Sequence, residues 1–205
     1  SVDYRINDRN SVFGSISWTN TNKSSVQPFQ GILDGGDFNG TSEVDLGRNA
    51  QLSYTRLWSS AMVSETRVGF SRLVTARTQA NSDIDAFKIA GIGGYNPTGP
   101  LNGGIPQIGL QDSSGGGRYR TVGGADWLPT KEYNNVWDFI QNVAITKGTH
   151  SFKFGAEFRP IQFPFFQVPY PHGEMTFRTN ETAFPATVGP LTNANTGDPV
   201  ASFLL

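Results

Sequence analysis

The sequence predicts an all-β fold, an antiparallel up-and-down meander of about seven strands. Three observations predict it. Apolar and polar residues alternate with a period of two in separate segments, and short polar breaks join successive segments into hairpins. The connections also run short, long, short, long, short, long: tight breaks near 8–10, 59–63 and 147–149, long stretches at 20–47, 77–131 and after 164.

Residues 2–8 set Val2, Tyr4 and Ile6 against Asp3, Arg5 and Asn7. After Asp8-Arg9-Asn10, residues 11–20 put Val12, Gly14, Ile16 and Trp18 on one face. Residues 20–47 are rich in Asn, Ser, Gly and Asp without periodicity and read as a loop. Residues 47–58 place Ala50, Leu52 and Tyr54 opposite Gln51, Ser53 and Thr55. Residues 64–76 place Thr66, Val68, Phe70 and Val74 opposite Glu65, Arg67, Gly69 and Ser71, and Arg72 interrupts the apolar side near a membrane interface. Between 77 and 131 the chain is irregular, with one or two helical turns at 83–90. Strands return at 133–146, with Trp137, Phe139, Val143 and Ile145 on the apolar side, and at 150–163, with Phe152, Phe154, Ala156 and Phe158 on it; Pro164, Pro169 and Pro171 stop the latter. A short strand at 173–179 closes the series.

Composition narrows the chemistry. Charged residues make up 16% of the 205 residues, against roughly 25% in an average soluble domain. A net charge of −1 without any basic run gives nucleic acid nothing to bind. The absence of cysteine removes disulfides, cysteine-zinc sites and thiol catalysis. No apolar run approaches the roughly 18 residues of a spanning helix. The chain starts inside an alternating pattern, without a signal peptide, and stops at "ASFLL", so a fragment of a longer protein is expected.

Alternation leaves two meanings for the aromatic face. In a soluble sandwich it is the core; in a membrane barrel it meets lipid, and the polar face lines a wet lumen. Two features favour the barrel. Tight turns on one side and long loops on the other are the habit of transmembrane barrels, and structureless loops this long are uncommon in compact domains. Trp18, Trp58, Trp137 and Tyr133 are expected near strand ends, where interfacial girdles belong. In this reading Phe139, Phe152, Phe154 and Phe158 face lipid, and Arg5, Lys153, Glu157 and Arg159 line the lumen.

Several stretches carry a family resemblance. "NNVWDFIQNVAITKGTHSFKFGAEFR", "GEMTFRTN" and "GDPVASFLL" follow one another from residue 134, with "GIGGYNPTGPLNGGIPQIGLQDSSGGG" and "YRINDRNSVFGSISWT" upstream. Together they resemble the barrel region of Oar-like TonB-dependent outer-membrane proteins, over nearly the whole chain. Val200 and Ser202 depart from that family's Asp-Pro-Phe-Ala-Asp-Phe-Leu-Leu-Gly segment. The resemblance implies a longer parent with an N-terminal regulatory-like domain, a plug and a larger barrel; 1–205 is a partial barrel domain, with the plug and the remaining strands outside it. It also implies energised uptake of a nutrient across the bacterial outer membrane, with the TonB complex engaged through the absent parts and loops 20–47, 77–131 and 180–199 contacting the nutrient. The alternative is a soluble or surface-attached β-rich module binding a glycan or a protein.

No catalytic, cofactor or metal site is expected, and the chain is not expected to be an enzyme. His150 begins a strand beside a turn and reads as interfacial; His172-Gly173-Glu174 has no further ligands at useful spacing and reads as a polar loop. The acidic stretch 34–45, "DGGDFNGTSEVD", has oxygen ligands for calcium but not EF-hand spacing, and reads as a solvated loop. The glycine clusters at 91–94, 103–104 and 115–117 match neither a Walker loop nor a dinucleotide fingerprint.

Overall fold

The computed structural model describes residues 1–27, 29, 31–35, 42–91, 103–112, 114–184 and 196–205. Its strands are β1 (Val2–Asn7), β2 (Asn10–Ser24), β3 (Ser42–Ser59), β4 (Met62–Thr78), β5 (Gln107–Gln111), β6 (Thr130–Lys147), β7 (His150–Phe158), β8 (Ile161–Gln162), β9 (Phe165–Gln167) and β10 (Glu174–Arg178). Two short helices are α1 (Ala86–Ala90) and α2 (Pro199–Leu204). The chain divides into two compact units. One comprises Ser1–Asn22, Val44–Ala76 and Lys131–Phe166; the other comprises Lys23–Glu43, Arg77–Thr130 and Gln167–Leu205.

The first unit is the meander. Its sheet runs β1-β2-β3-β4-β6-β7, with β8 and β9 also paired to β6. Alternation forces this arrangement, because each strand presents its backbone polar groups sideways to a neighbour and its side chains to two faces. Local chemistry closes the tight turns. Asn7 Oδ1 accepts from Arg9 N and from Asn10 Nδ2, Ser59 Oγ accepts from Ala61 N, and Gly148 takes the left-handed φ of +63°. Leu57 N donates to Arg9 O and Thr146 N to Ala61 O, both at 2.8 Å, so the three turns share one end of the sheet. The long connections leave from the opposite strand ends.

Three expectations about the strands are corrected. Strands β2, β3, β4 and β6 run beyond 11–20, 47–58, 64–76 and 133–146. At the extended ends the side chains are polar but paired: the Glu43 carboxylate takes both Lys23 Nζ and, at 2.6 Å, Arg77 Nε. Cross-strand ion pairs hold strand geometry where no apolar period announces it. Pro164 does not stop the 150–163 strand. The register set by Phe139↔Phe158 continues at Asn135↔Gln162, and Trp137 N and Tyr133 N donate to Pro160 O and Pro164 O. Proline lacks only the donor, so the strand is interrupted at Pro160 and Pro164 into β7, β8 and β9 while their carbonyls still accept and the register is kept. Lastly, the strand expected at 173–179 does not join the meander: β10 pairs in parallel with β5, from Glu174↔Gln107 to Arg178↔Gln111.

The second unit is built from the long connections, which the sequence had read as structureless. Helix α1 forms in the expected stretch, capped by Asp85, whose side chain accepts from Lys88 N, and ended by Gly91 at φ +71°. The stretch "DSSGGG" lies in a hairpin that folds back on β5: Asp112 N donates to Gly116 O, Ile108 bridges Val122, and residue 113 lies outside the described residues. Helix α2 starts on Asp198, whose Oδ1 accepts from Val200 N at 2.8 Å, and Phe203 meets Phe177 edge-on at 5.1 Å. The core holds Leu128, Phe87, Ala86, Ala80 and Ala125, with Asp34, Gln79 and His172 buried among the polar groups.

Backbone segments approach closely at Gly35. Asp34 bridges Gly123, Ala80 N donates to Gly35 O, and a Cβ on residue 35 would stand 1.8 Å from Gly124 N. Main chain cannot swing aside as a side chain can. Gly35→Ala is therefore expected to destabilise this unit by about 3 kcal/mol, the upper end for overpacking. Limited proteolysis should cut the 77–130 region much faster in the variant; an unchanged rate would contradict the close approach.

Candidate functional site: the two faces of the sheet

The register of β6 with β7 settles which side chains share a face. Phe152, Phe154 and Phe158 stand opposite Ile145, Val143 and Phe139, while Lys153 and Glu157 stand opposite Ala144 and Ile140. In β1 and β2, Val2 stands opposite Gly14 and Tyr4 opposite Val12, while Arg5 stands opposite Ser11. Ring contacts carry the apolar face into β4: Phe70 lies 4.5 Å from Trp137, which is followed by Phe139 at 6.2 Å and Phe158 at 6.3 Å. Phe154 is 62% exposed, Phe158 68% and Ile16 72%, so among the described residues no second sheet covers this face.

The polar face carries charges in paired groups. Arg159 reaches Asp138 at 3.3 Å and Glu157 at 2.6 Å. Glu65 accepts from Ser53 Oγ at 3.1 Å and from Arg67 Nη2 at 2.9 Å. Thr75 Oγ1 donates to Asp45 at 2.7 Å. Of the four residues expected on a lumen, Glu157 and Arg159 meet, whereas Lys153 stands apart on β7. Arg5 pairs with Asp8 at 2.8 Å beside the first turn, on edge strand β1. They form a charged surface and not a convergent centre. Asp138 was not singled out from the sequence; its even-numbered place in β6, opposite the Trp137 and Phe139 side, is the signal that finds it.

The apolar face is bounded at both ends by aromatic-cation pairs. By the tight turns, Trp58 Nε1 donates to Ser64 Oγ at 2.9 Å and Arg56 lies 3.9 Å above the indole ring. At the other end Arg72 and Lys131 each lie 5.3 Å from the Tyr133 ring. From Ser64 to Arg72 is eight residues, about 26 Å of strand. At the usual barrel tilt this covers about 20 Å, close to the roughly 25 Å apolar band of outer-membrane barrels. Trp58 and Tyr133 thus lie near strand ends as expected. Trp18 and Trp137 do not: Trp18 is the ninth of the fifteen residues of β2, and Trp137 sits inside β6, between Phe70 and Phe139.

The remaining candidates resolve individually. His150 is exposed beside its turn, 6.1 Å from the Phe152 ring. His172 is not solvated; it is 3% exposed, with Nε2 at 3.1 Å from Leu128 O. In the acidic stretch 34–45, Asp34 is buried and accepts from Phe29 N, and Asp45 accepts from Thr75; residues 36–41 lie outside the described residues. Among the described residues no cluster of three metal-ligating groups occurs.

A comparison with known families identifies the sheet. The family described as "Outer membrane beta barrel domain" matches residues 1–205. The chain belongs to that family. It is a membrane barrel segment of the bacterial outer membrane, and its meander is the strand arrangement such barrels use. No curated protein and no solved structure matches it. No helix among the described residues is long and apolar enough to cross a membrane, and a barrel crosses with strands.

In the loop unit, Tyr119 Oη donates to Asp198 Oδ2 at 3.1 Å, and Arg118 Nη1 to Gly197 O at 3.2 Å. The hydrogen bond from Val200 N, then that from Tyr119, holds the Asp198 carboxyl below the usual aspartate range. A lowered carboxyl pKa contributes stability that is present above the unfolded value, about 3.9, and lost as pH falls through the folded one. Amide exchange of residues 200–204 should therefore stay protected at neutral pH and lose protection below about pH 3.9. In Asp198→Ala that acid step should vanish; its persistence would assign the step to another group.

Proposed function

We propose that this barrel segment belongs to a TonB-dependent transporter, with the aromatic face against lipid, the polar face lining a lumen, and the long connections contacting a nutrient. The observation that carries the reading is that those connections fold into a compact unit with its own core around Leu128, Phe87 and Ala125. Loops that only close a barrel need no core, whereas loops that hold a ligand need fixed geometry. The resemblance to Oar-like proteins from "NNVWDFIQ" to "GDPVASFLL" supports the same reading. So does the sheet: β1 and β7 are terminal in the strand order, and a bilayer tolerates no unpaired edge, so further strands complete the barrel.

In this reading Arg5, Lys153, Glu157 and Arg159 line the lumen, where water keeps charge inexpensive, and Phe139, Phe152, Phe154 and Phe158 meet acyl chains. No step of bond chemistry is assigned to any residue, since the reaction is passage and the TonB complex supplies the energy through other parts of the parent chain.

Two measurements test this. Phe158→Lys, level with Val68 in the middle of the apolar band, should cost about 2–4 kcal/mol in urea titrations of the protein folded into lipid, as a cation near the bilayer midplane does. Lys153→Gln, on the other face, should cost under about 0.5 kcal/mol. Equal costs would reject the face assignment. Uptake profiling tests the transport: a strain lacking the protein should fail to accumulate a subset of nutrients, and the same subset should be lost when TonB is inactivated. A deletion profile that differs from wild type in nothing, or whose losses survive without TonB, would refute energised transport.

A further inference from the structure

A groove of about 820 Å³ runs across the apolar face of the sheet. Gly14 and Ala50 form its floor, and Ile16, Leu52, Phe70 and Trp137 form its walls. The floor is open: a Cβ on Gly14 would find its nearest neighbours 4.0 Å away, at Gln51 O and Leu52 Cδ1. An apolar channel of this size on a membrane-facing surface fits a hydrocarbon chain.

Alternation places a cation one same-face step beyond the groove on each of two adjacent strands. Arg48 follows from Ala50 on β3, and Arg72 from Phe70 on β4, each about 6.6 Å along its strand. Lys131 joins them at the Tyr133 ring. Arg48 is held by its own Nη1, which donates to Thr19 O, Asn20 Oδ1 and Gly47 O. Among the described residues none of these three cations meets a carboxylate, a condition they share with Arg56 at the turn end of the same face. An apolar channel capped by cations without counter-charges, at the strand ends away from the tight turns, matches one kind of molecule. Those ends face outside in barrels of this type.

We propose that this surface binds a phosphorylated lipid of the outer leaflet, with an acyl chain in the groove between Ile16 and Trp137 and a phosphate between Arg48 and Arg72. Guanidinium groups suit phosphate because two parallel N–H groups meet two oxygens. Trp18 and Tyr133 lie at the same level, where amphipathic rings favour the headgroup region. The assignment rests on the reading that the aromatic face meets lipid.

The test uses the protein purified from outer membranes in mild detergent. Two probes are titrated: a bisphosphorylated, acylated glucosamine disaccharide and the same lipid with its phosphates removed, with retained lipid counted by native mass spectrometry. The phosphorylated probe should bind at least about tenfold more tightly, the scale of one charge-assisted contact. Arg48→Gln with Arg72→Gln should erase that preference, and Arg48→Lys with Arg72→Lys should keep part of it. Gly14→Leu, at a position where an added Cβ finds room, should weaken both probes alike. Equal binding of the two probes by the unsubstituted protein overturns the site without recourse to any variant, as does a preference that survives the double glutamine change. Residues 1–205 contain no cysteine, so with any cysteine elsewhere in the parent replaced by serine a nitroxide on Phe139→Cys reports a single position. Quenching there by oxygen, without phosphate preference, overturns this site alone; quenching by a water-soluble reagent instead overturns the lipid-facing reading as well.

Discussion

Backbone hydrogen bonding is the constraint from which the rest of this sheet follows. Inside a bilayer no water reaches an N–H or C=O left unpaired, and each such group costs several kcal/mol. Every crossing segment must therefore be flanked by another. Once strands are paired, side chains have two directions only, and alternation stops being a pattern and becomes an architecture. Phe152, Phe154 and Phe158 join Ile145, Val143 and Phe139 because one hydrogen-bonded register allows nothing else. The Glu157–Arg159–Asp138 and Ser53–Glu65–Arg67 groups fall on the other face for the same reason.

The same constraint explains the treatment of proline. Pro160 and Pro164 lie in the two breaks that separate β7, β8 and β9, and their carbonyls accept from Trp137 and Tyr133. Each proline costs one donor to the β6 ladder, and its carbonyl keeps the register across the gap. The extended ends of β2, β3 and β4 show a second way to hold pairing: where apolar contacts stop, Glu43 gathers Lys23 and Arg77.

The long connections obey a different physics. Their unit has a small apolar core and is assembled largely by backbone packing against backbone. That is where many glycines go. Gly35 against Gly124, and Gly123 against Pro106 at φ +84°, leave no room for a Cβ. These glycines serve the close approach of one backbone segment to another.

The sequence by itself determined the meander: the three hairpins, their order and the two faces, with Arg72, Trp58 and Tyr133 at the face boundaries. Period-two alternation encodes all of these locally, since the side chain at i+2 returns to the face of i wherever the strand lies. It also held, through "NNVWDFIQNVAITKGTHSFKFGAEFR" and its companions, enough to point to an outer-membrane barrel. Only tertiary structure decided the rest. The parallel pairing of β10 with β5 joins residues more than 60 positions apart, and no local period records it. The burial of His172 against Leu128 depends on that same folding of distant loop segments. Trp137 lies inside its strand because hydrogen bonding carries β6 past the residues where the apolar pattern begins. Alternation is a property of neighbours along one chain, whereas register and loop packing depend on which distant backbone groups find each other; the first is written in the sequence and the second is settled only when the chain closes on itself.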